Sequence, residues 1–524
     1  MASQTEVGVF DALRRDYGDQ IFKYLTCRDF GRLESAFPRE LVFLTARDVR
    51  YGGEALLRTV AGRRHAEAVE AGATVVPLGE GRGAHRRTWA TELRLVYMAM
   101  MRARVRGRKF MISAAENHSL VTSGNEGEVW SFGYGSYGKL GHGAVGAHFG
   151  TGNEVVPRLI EAFRRVKVRQ VEAGQYHSMA LSERGRTFTW GYGGRGQLGH
   201  NNSDSQNVPK HVDGLPAVKA IAAGYQHSLA VGEDGSLFTW GNNGDGRLGL
   251  VDFDQERNVP TMVPGMRNVL AVAAGSAHTL ALNSDGTVMA CGENRNGELG
   301  LGDTEEDRCL QPSKTFTVVP DLIGVVDIDA GDKHSIAVTC EGDVYTWGMG
   351  GPNPGVDGGP NPMCPCGSTQ KWKRCCKSVS RPTKVNRVAG GLSEAVVQAV
   401  AGYGHSMVLT TTGELFTWGK GAGGQLGHGG IEDLCSVPTV VDGIGAVLSM
   451  AGGRRHSLVT TREGRVFVFG TRGLGLGAAV SEAFTPTAID GIALSVGADA
   501  GLADKAMEAS KEGKEGKEGK ERSE

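Results

Sequence analysis

The feature that most constrains this chain is a short segment, Ala-Gly-x-x-His-Ser/Thr, that recurs along most of its length. Two weaker copies are centred on His118 and His456. The five clear copies carry His177, His227, His278, His334 and His405. Successive histidines are 50 to 59 residues apart, except for 71 residues between His334 and His405. Self-similarity at this period indicates a repeat architecture in which each unit is one supersecondary structure.

Each histidine is followed by a pattern that predicts a β-hairpin. In one unit, apolar residues alternate over 228–231, Asp234-Gly235 follows, and a second stretch ends in Thr-Trp-Gly at Trp240. A glycine-rich loop and a Pro-x-x-Val segment then lead into the next unit. The tryptophan is replaced in three units by Phe132, Cys291 and Phe469. Each unit supplies about four short strands, which is typical of a propeller blade. The 80 glycines of the 524 residues fit such a turn-rich fold.

The ends of the repetitive region predict how the ring closes. The first copy begins with the hairpin half of a unit, from His118 to Gly133, and the last ends with the opposite half, from Gly473 to about Val496. Pairing these halves in one composite blade would remove the exposed edges of an open array. We therefore predict an all-β fold, a seven-bladed β-propeller over residues 111–497.

These repeats resemble those of the regulator of chromosome condensation family, and the resemblance covers roughly residues 111–497. That family forms seven-bladed propellers, which agrees with the blade count. It also implies one function, guanine-nucleotide exchange on a Ran-like small GTPase. The chain shows no counterpart of the projecting β-wedge that such exchange uses, and a fold alone does not transfer a function.

The repeated histidines are better explained by packing than by catalysis. A catalytic residue is needed once, whereas a residue present in every blade solves a problem that every blade shares. We expect each imidazole to be neutral, near the axis, and hydrogen-bonded to otherwise unsatisfied backbone. The tryptophans are expected to pack between blades, and the glycine-rich loops to be turns rather than phosphate cradles. No Ser/His/Asp or Cys/His set recurs in phase, so we expect no enzyme activity.

The longest interval contains four cysteines, spaced Cys-x-Cys-x8-Cys-Cys, that predict a closed zinc site. The candidate ligands are Cys364, Cys366, Cys375 and Cys376. Four thiolates within reach of one point suit tetrahedral Zn²⁺ and leave no open position for water. The stretch is similar to the SEC-C zinc motif, which implies a protein-contact module spanning residues 352–380. The alternative is a cysteine-rich loop without metal. The other five cysteines are scattered, and we expect them to be reduced.

Residues 1–110 lack the repeat and carry 20 Lys/Arg against 13 Asp/Glu, a net charge of +7. Their apolar periodicity predicts a small α-helical domain. Residues 19–25 and 28–33 resemble an F-box helix pair, which implies docking onto the Skp adaptor of a cullin ubiquitin ligase, although Asp16-Tyr17-Gly18 stands where Leu-Pro is usual. The alternative is a helical cap on the propeller.

Two charged segments flank the repeats. An alternating basic run over residues 102–109 is either a solvated linker or a phosphate or importin contact. The tail 498–524 repeats Lys-Glu-Gly and is expected to be disordered.

The overall charge balance narrows the functions. Lys+Arg total 57 and Asp+Glu 58, so the basic excess of a dedicated nucleic-acid binder is absent. No apolar run is long enough to span a membrane and no secretory pattern is seen, which favours the cytoplasm, the nucleus or both. We predict a non-catalytic platform for protein partners, with a ligase substrate receptor as its most specific version. The alternatives are GTPase exchange and, from the basic run alone, chromatin binding.

Overall fold

The computed structural model describes residues 111–123, 127–143, 152–251, 255–302, 311–349, 378–385, 395–492 and 494. Within them, 28 strands form seven antiparallel sheets of four strands each, all between residues 111 and 497. The predicted helical region, the tail and residues 352–377 of the predicted insertion 352–380 lie outside the described residues, whereas residues 378–380 belong to a strand of the propeller. The all-β, seven-bladed prediction is therefore confirmed for the repeats.

Each blade comes from one continuous stretch of chain. Blade 1 comprises β1 Ile112–Ala114, β2 His118–Thr122, β3 Val129–Gly133 and β4 Glu154–Leu159. Blade 2 comprises β5 Val168–Ala173, β6 His177–Ser182, β7 Thr187–Gly191 and β8 Gln206–His211. Blade 3 comprises β9 Val218–Ala223, β10 His227–Gly232, β11 Leu237–Asn242 and β12 Glu256–Met262. Blade 4 comprises β13 Val269–Ala274, β14 His278–Asn283, β15 Val288–Gly292 and β16 Ser313–Val318.

The remaining three blades have the same order. Blade 5 comprises β17 Val325–Ala330, β18 His334–Thr339, β19 Val344–Met349 and β20 Ser378–Lys384. Blade 6 comprises β21 Val396–Ala401, β22 His405–Thr410, β23 Leu415–Gly421 and β24 Glu432–Val440. Blade 7 comprises β25 Val447–Gly452, β26 His456–Thr461, β27 Val466–Thr471 and β28 Glu482–Ala488. Two short 3₁₀ turns, Ser136–Gly138 and Glu161–Phe163, lie in and after blade 1.

The predicted hairpin is the centre of each blade. In blade 3, β10 pairs with β11 so that His227 lies opposite Gly241 and Ser228 lies opposite Trp240. The turn between them contains Gly235, whose φ of +85° favours glycine. β10 is buried along its whole length because neighbouring blades cover both of its faces.

The predicted composite blade is wrong. The first sheet has its own inner strand, β1, and the last sheet has its own outer strand, β28, so no sheet combines the two ends. β1 has three residues, which is too short for alternation to mark it as a strand. The ring closes by packing: Met111 and Ile112 of blade 1 share an apolar cluster with Leu458 and Val468 of blade 7.

The core is divided among the interfaces between blades. One cluster joins Met179 and Leu181 of blade 2 to Ile221 and Trp240 of blade 3. The four repeat tryptophans are at most 1% exposed, in agreement with their predicted packing role. Similar interfaces position the segments at one end of every blade, where the candidate site lies.

Candidate protein-binding face

The repeat histidines form a ring of hydrogen bonds from blade to blade. The Nε2 atom of each lies 2.8 to 3.2 Å from the hydroxyl oxygen of the Ser or Thr that follows the histidine of the next blade. His177, for example, meets Ser228, whose Oγ donates to the Gln197 carbonyl at 2.8 Å. Since the hydroxyl proton is used there, Nε2 must be the donor. The predicted backbone partner is thus corrected to a hydroxyl, and the repeated Ser/Thr beside each histidine was the signal.

These imidazoles are neutral at pH 7. Burial lowers the pKa of His177, His278 and His405 to about 3. All seven repeat histidines are at most 4% exposed, and the Nδ1 atom of six of them has no hydrogen-bond partner in the described structure. A buried neutral histidine that already donates to a hydroxyl holds blades together, and it is poorly placed to exchange protons with a substrate.

The glycine-rich loops complete the interface, as turns. Trp240 Nε1 donates to the same Gln197 carbonyl at 2.8 Å, so the loop of blade 2 receives two donors from blade 3. Gly199, which ends that loop, has a φ of +75°, and a Cβ there would lie 2.9 Å from Trp240 Nε1. Backbone conformation and close approach therefore both require glycine at this position.

The position after the repeat glycine, which is Ala115 in blade 1, faces the axis and holds six residue types in the seven blades. Its occupants are Glu116, Gln175, Tyr225, Ser276, Asp332, Tyr403 and Arg454. All seven line one central cavity of about 180 Å³. Where the fold needs a residue it repeats it, so six residue types at one phase of the seven blades indicate a surface free to serve recognition.

Hydrogen bonds connect these axial side chains across blades. Glu116 accepts from Gln175 Nε2 and from Arg454 Nη1, and the Arg454 guanidinium lies 4.7 Å from the centroid of the Tyr403 ring. Ser276 Oγ donates to Asp332 Oδ1 at 2.5 Å. Burial, and then the Asp332 carboxylate, raise the pKa of Tyr403. These hydrogen bonds hold the axial side chains, which we call the axial ring, in a preorganised arrangement.

Tyrosines of blades 1 to 3 form a second feature of this face. We call Tyr137, Tyr176, Tyr192 and Tyr225 the tyrosine cluster. Ring centroids are 4.9 Å apart for Tyr137 and Tyr192, and 5.2 Å apart for Tyr176 and Tyr225. The hydrogen bond between the Tyr176 and Tyr225 hydroxyls, with burial, raises the pKa of Tyr176 to about 12. Tyr137 is 43% exposed, so the cluster presents aromatic surface to solvent.

The insertion leaves the propeller at this same face. β19 ends at Met349, β20 begins at Ser378, and the two residues are paired. This connection follows the third strand of its blade, as do the loops that carry Tyr137 and Tyr192. The four candidate zinc ligands lie outside the described residues, as does the F-box-like segment. In the part that is described, no three His, Cys, Asp or Glu side chains converge as a metal site requires, and Cys291, Cys340 and Cys435 are not in disulfide bonds.

The described residues contain no helix long and apolar enough to cross a membrane. The strands and contacts described above define a class of protein, the seven-bladed β-propeller. Its repeats are joined by the hydrogen bonds of a histidine, a hydroxyl group and a tryptophan. The sequence profile of the RCC1-like domain matches residues 35–358, and profiles of the regulator of chromosome condensation (RCC1) repeat match residues 396–425 and 412–460. The chain belongs to this RCC1-like domain family.

Known proteins of several kinds share the domain. The ultraviolet-B receptor UVR8 of Arabidopsis thaliana is 28% identical over 70% of this chain and 66% of its own length. The human E3 ubiquitin-protein ligase HERC2 is 33% identical over 62% of this chain, which spans only 5% of HERC2. RUG3, a mitochondrial RCC1 domain-containing protein of Arabidopsis thaliana, is 32% identical over 63% of this chain and 69% of its own length.

Solved structures agree on the fold. Prp20p of Saccharomyces cerevisiae, whose structure was described with its binding to Gsp1p and histones, has a TM-score of 0.59 at 21% identity, covering 77% of this chain and 98% of Prp20p. Yeast RCC1 (Prp20) bound to Kap60 has a TM-score of 0.57 at 23% identity, covering 74% of this chain and 86% of that one.

Proposed function

We propose that this chain is a non-catalytic platform that binds protein partners through the face carrying the axial side chains and the tyrosine cluster. The observation that supports it most is the change from repeated, buried residues to non-repeated, partly exposed ones at one end of the blades. Tyrosine and arginine are enriched at protein interfaces and dominate their binding energy. That Prp20 binds Kap60 agrees with such a role for the family.

The proposal is tested on the full-length protein by substituting two members of the tyrosine cluster, the exposed Tyr137 and the partly exposed Tyr192. Partners are first identified by cross-linking to the unsubstituted chain, and each one is then purified and tested for binding by itself. The double variant Tyr137→Ala with Tyr192→Ala should no longer bind these partners. Val208→Ala with Val259→Ala, at exposed sites on outer strands, is the matched control and should retain them. Partners that bind equally to both double variants would contradict the proposal.

For the insertion we propose a structural zinc site with Cys364, Cys366, Cys375 and Cys376 as ligands. The spacing of the thiolates and the similarity to the SEC-C motif support it. Zinc would fold the segment around one tetrahedral centre. The insertion would then add a contact module at the binding face, because its flanking strands end there.

The most specific version of the platform is a substrate receptor of a cullin-type ubiquitin ligase. It rests on the F-box-like residues 19–33, and co-purification of the full-length chain with Skp and cullin tests it. Soluble chain that recovers neither protein would remove this version and leave the platform intact. We further propose that the protein acts in the cytoplasm, the nucleus or both.

The second candidate is guanine-nucleotide exchange on a Ran-like GTPase. The binding of Prp20p to Gsp1p favours it, although at 21% identity the likeness concerns the fold. Nucleotide release from Ran, measured with and without the chain, decides it. The histone binding of Prp20p likewise favours a chromatin-associated role, and salt-dependent DNA retention that is lost when residues 102–109 are neutralised tests that role.

A further inference from the structure

Blades 5 to 7 carry a set of cations at the same end as the axial ring. We call Lys333, Lys420, Arg455 and Arg472 the basic arc. Lys333 and Arg455 directly precede the repeat histidines of blades 5 and 7. Lys420 is the penultimate residue of β23, before the loop of blade 6, and Arg472 directly follows β27. All four therefore lie where the second strand begins and the third strand ends.

Backbone contacts place these residues on one continuous surface. Lys420 N donates to the Gly404 carbonyl at 2.8 Å, and Thr471 N donates to the Arg455 carbonyl at 2.7 Å. Blade 6 touches blade 7 here, because Tyr403 N donates to the Gly453 carbonyl at 3.0 Å. The arc thus follows three adjacent blades around the axial cavity.

The cations of the arc differ from those of the other blades in their ion pairing. None of the four cations makes an ion pair with any described residue, and Lys420, Arg455 and Arg472 are exposed. On blades 2 to 4 the same end behaves differently. There the carboxylates of Asp245, Glu256 and Glu293 are each within 3.3 Å of a guanidinium. Ion pairs therefore engage these guanidinium groups on blades 2 to 4, whereas the four cations of the arc on blades 5 to 7 have no ion pair with a described residue.

We infer that the basic arc binds an acidic segment of a protein partner, while the tyrosine cluster receives an apolar part of the same partner. This inference rests on the proposed platform and names the chemistry of its ligand. Unpaired cations beside an aromatic patch favour a surface with carboxylates around an apolar centre, since complementary charge sets register and speeds encounter.

Charge also decides between the possible occupants. The net charge of residues 1–110 is +7, so their overall charge does not complement that of the arc. A nucleic acid would bring a continuous run of phosphates past the carboxylates of Glu116 and Asp332 at the axis, which oppose it. An acidic polypeptide, in contrast, can place its carboxylates on the basic arc without bringing negative charge to the axis.

The test measures binding of a fluorescein-labelled oligoglutamate peptide to the full-length chain by fluorescence anisotropy at low salt. Lys420→Glu with Arg455→Glu should weaken binding by about tenfold or more. Arg184→Glu with Arg462→Glu is the matched control: it makes the same charge change in hairpin turns at the opposite end of the blades, and it should weaken binding less than about twofold. Oligoglutamine should not bind.

Three results would overturn the inference. They are equal weakening by the two double variants, tighter binding of a short DNA duplex than of oligoglutamate, and tighter peptide binding after deletion of residues 498–524, which would identify the tail as the occupant. If any of these occurs while the Tyr137 and Tyr192 variant still loses its partners, the acidic ligand is wrong and the platform stands. If that variant keeps its partners, the platform itself is wrong.

Discussion

The Nε2 atom of His456 lies 2.9 Å from Oγ of Ser119, although 337 residues separate them in the chain. This pair joins the last blade to the first. The same kind of pair joins the blades at each of the other six interfaces. The backbone follows the same rule: Arg454 N donates to the Ala115 carbonyl at 3.0 Å. The seam of the ring is therefore built like the other six interfaces, without a shared sheet.

Removing the hydroxyl at the seam should destabilise the protein as much as removing one inside the ring. Ser119→Ala leaves His456 Nε2 buried without an acceptor, and it should lower the free energy of unfolding by about 1–3 kcal/mol. Ser228→Ala, which does the same to His177, is the control. Urea titrations measure both. A cost for Ser228→Ala with none for Ser119→Ala would mean that the ring is open in solution.

Stability should fall steeply in mild acid. Burial lowers the pKa of the repeat histidines, to about 4 for His334 and His456 and to about 3 for His278. The unfolded chain binds protons below its own histidine pKa of about 6.5 while the folded chain does not, so stability present above that pH is lost as the pH falls towards 4.

The slope of the free energy of unfolding against pH depends on how many buried histidines contribute. Each contributes about 1.4 kcal/mol per pH unit, measured by urea unfolding from pH 8 to pH 5. His278→Gln should reduce this slope by the contribution of one histidine. Substitution of the half-exposed His211 is the control. An unchanged free energy across this range would show that the ring is not buried.

The repeat glycine should not tolerate a methyl group. A Cβ at Gly174 would lie 2.7 Å from both the Gly224 carbonyl oxygen and His177 Cε1, so Gly174→Ala should cost about 1–3 kcal/mol through overpacking. Gly430 has nothing within 4 Å of the corresponding position. Gly430→Ala should leave the melting temperature unchanged, and equal effects would contradict the close approach.

The tryptophan position should depend on volume more than on its hydrogen bond. Trp240→Phe removes the donor to the Gln197 carbonyl, which Ser228 still satisfies, and Phe132 and Phe469 fill this position in blades 1 and 7. We expect a cost of about 1 kcal/mol, against about 3–5 kcal/mol for Trp240→Ala. Thermal unfolding separates the two. Similar destabilisation by Trp240→Phe and Trp240→Ala would mean that the hydrogen bond, and not the volume of the side chain, stabilises the interface.

Purified full-length protein should contain about one zinc per chain. Cys375→Ser should remove most of it, because a tetrahedral site with three thiolates binds more weakly. Cys340→Ser, at a cysteine of blade 5 that is not in a disulfide bond, should retain the zinc. Elemental analysis by mass spectrometry gives the stoichiometry, and equal zinc in both variants would refute the ligand assignment.

The sequence predicted what lies within one blade. Contacts such as His227 opposite Gly241 are local and recur at a fixed phase, so their pattern can be read directly. It did not predict β1, whose three residues carry no period, and it assigned the histidines to backbone because the partner hydroxyls lie one unit away. The axial set was missed for the opposite reason: residues that do not repeat leave no pattern.

By itself the sequence determined the number of blades, the strands of the hairpins and the residues that fill the interfaces, because each unit repeats the same local solution. Only the tertiary structure decided that each sheet is continuous, that the ring closes from His456 to Ser119, and that tyrosines and unpaired cations share one face. Those relationships join residues from different units, and they depend on how seven blades are arranged around an axis that no single repeat encodes.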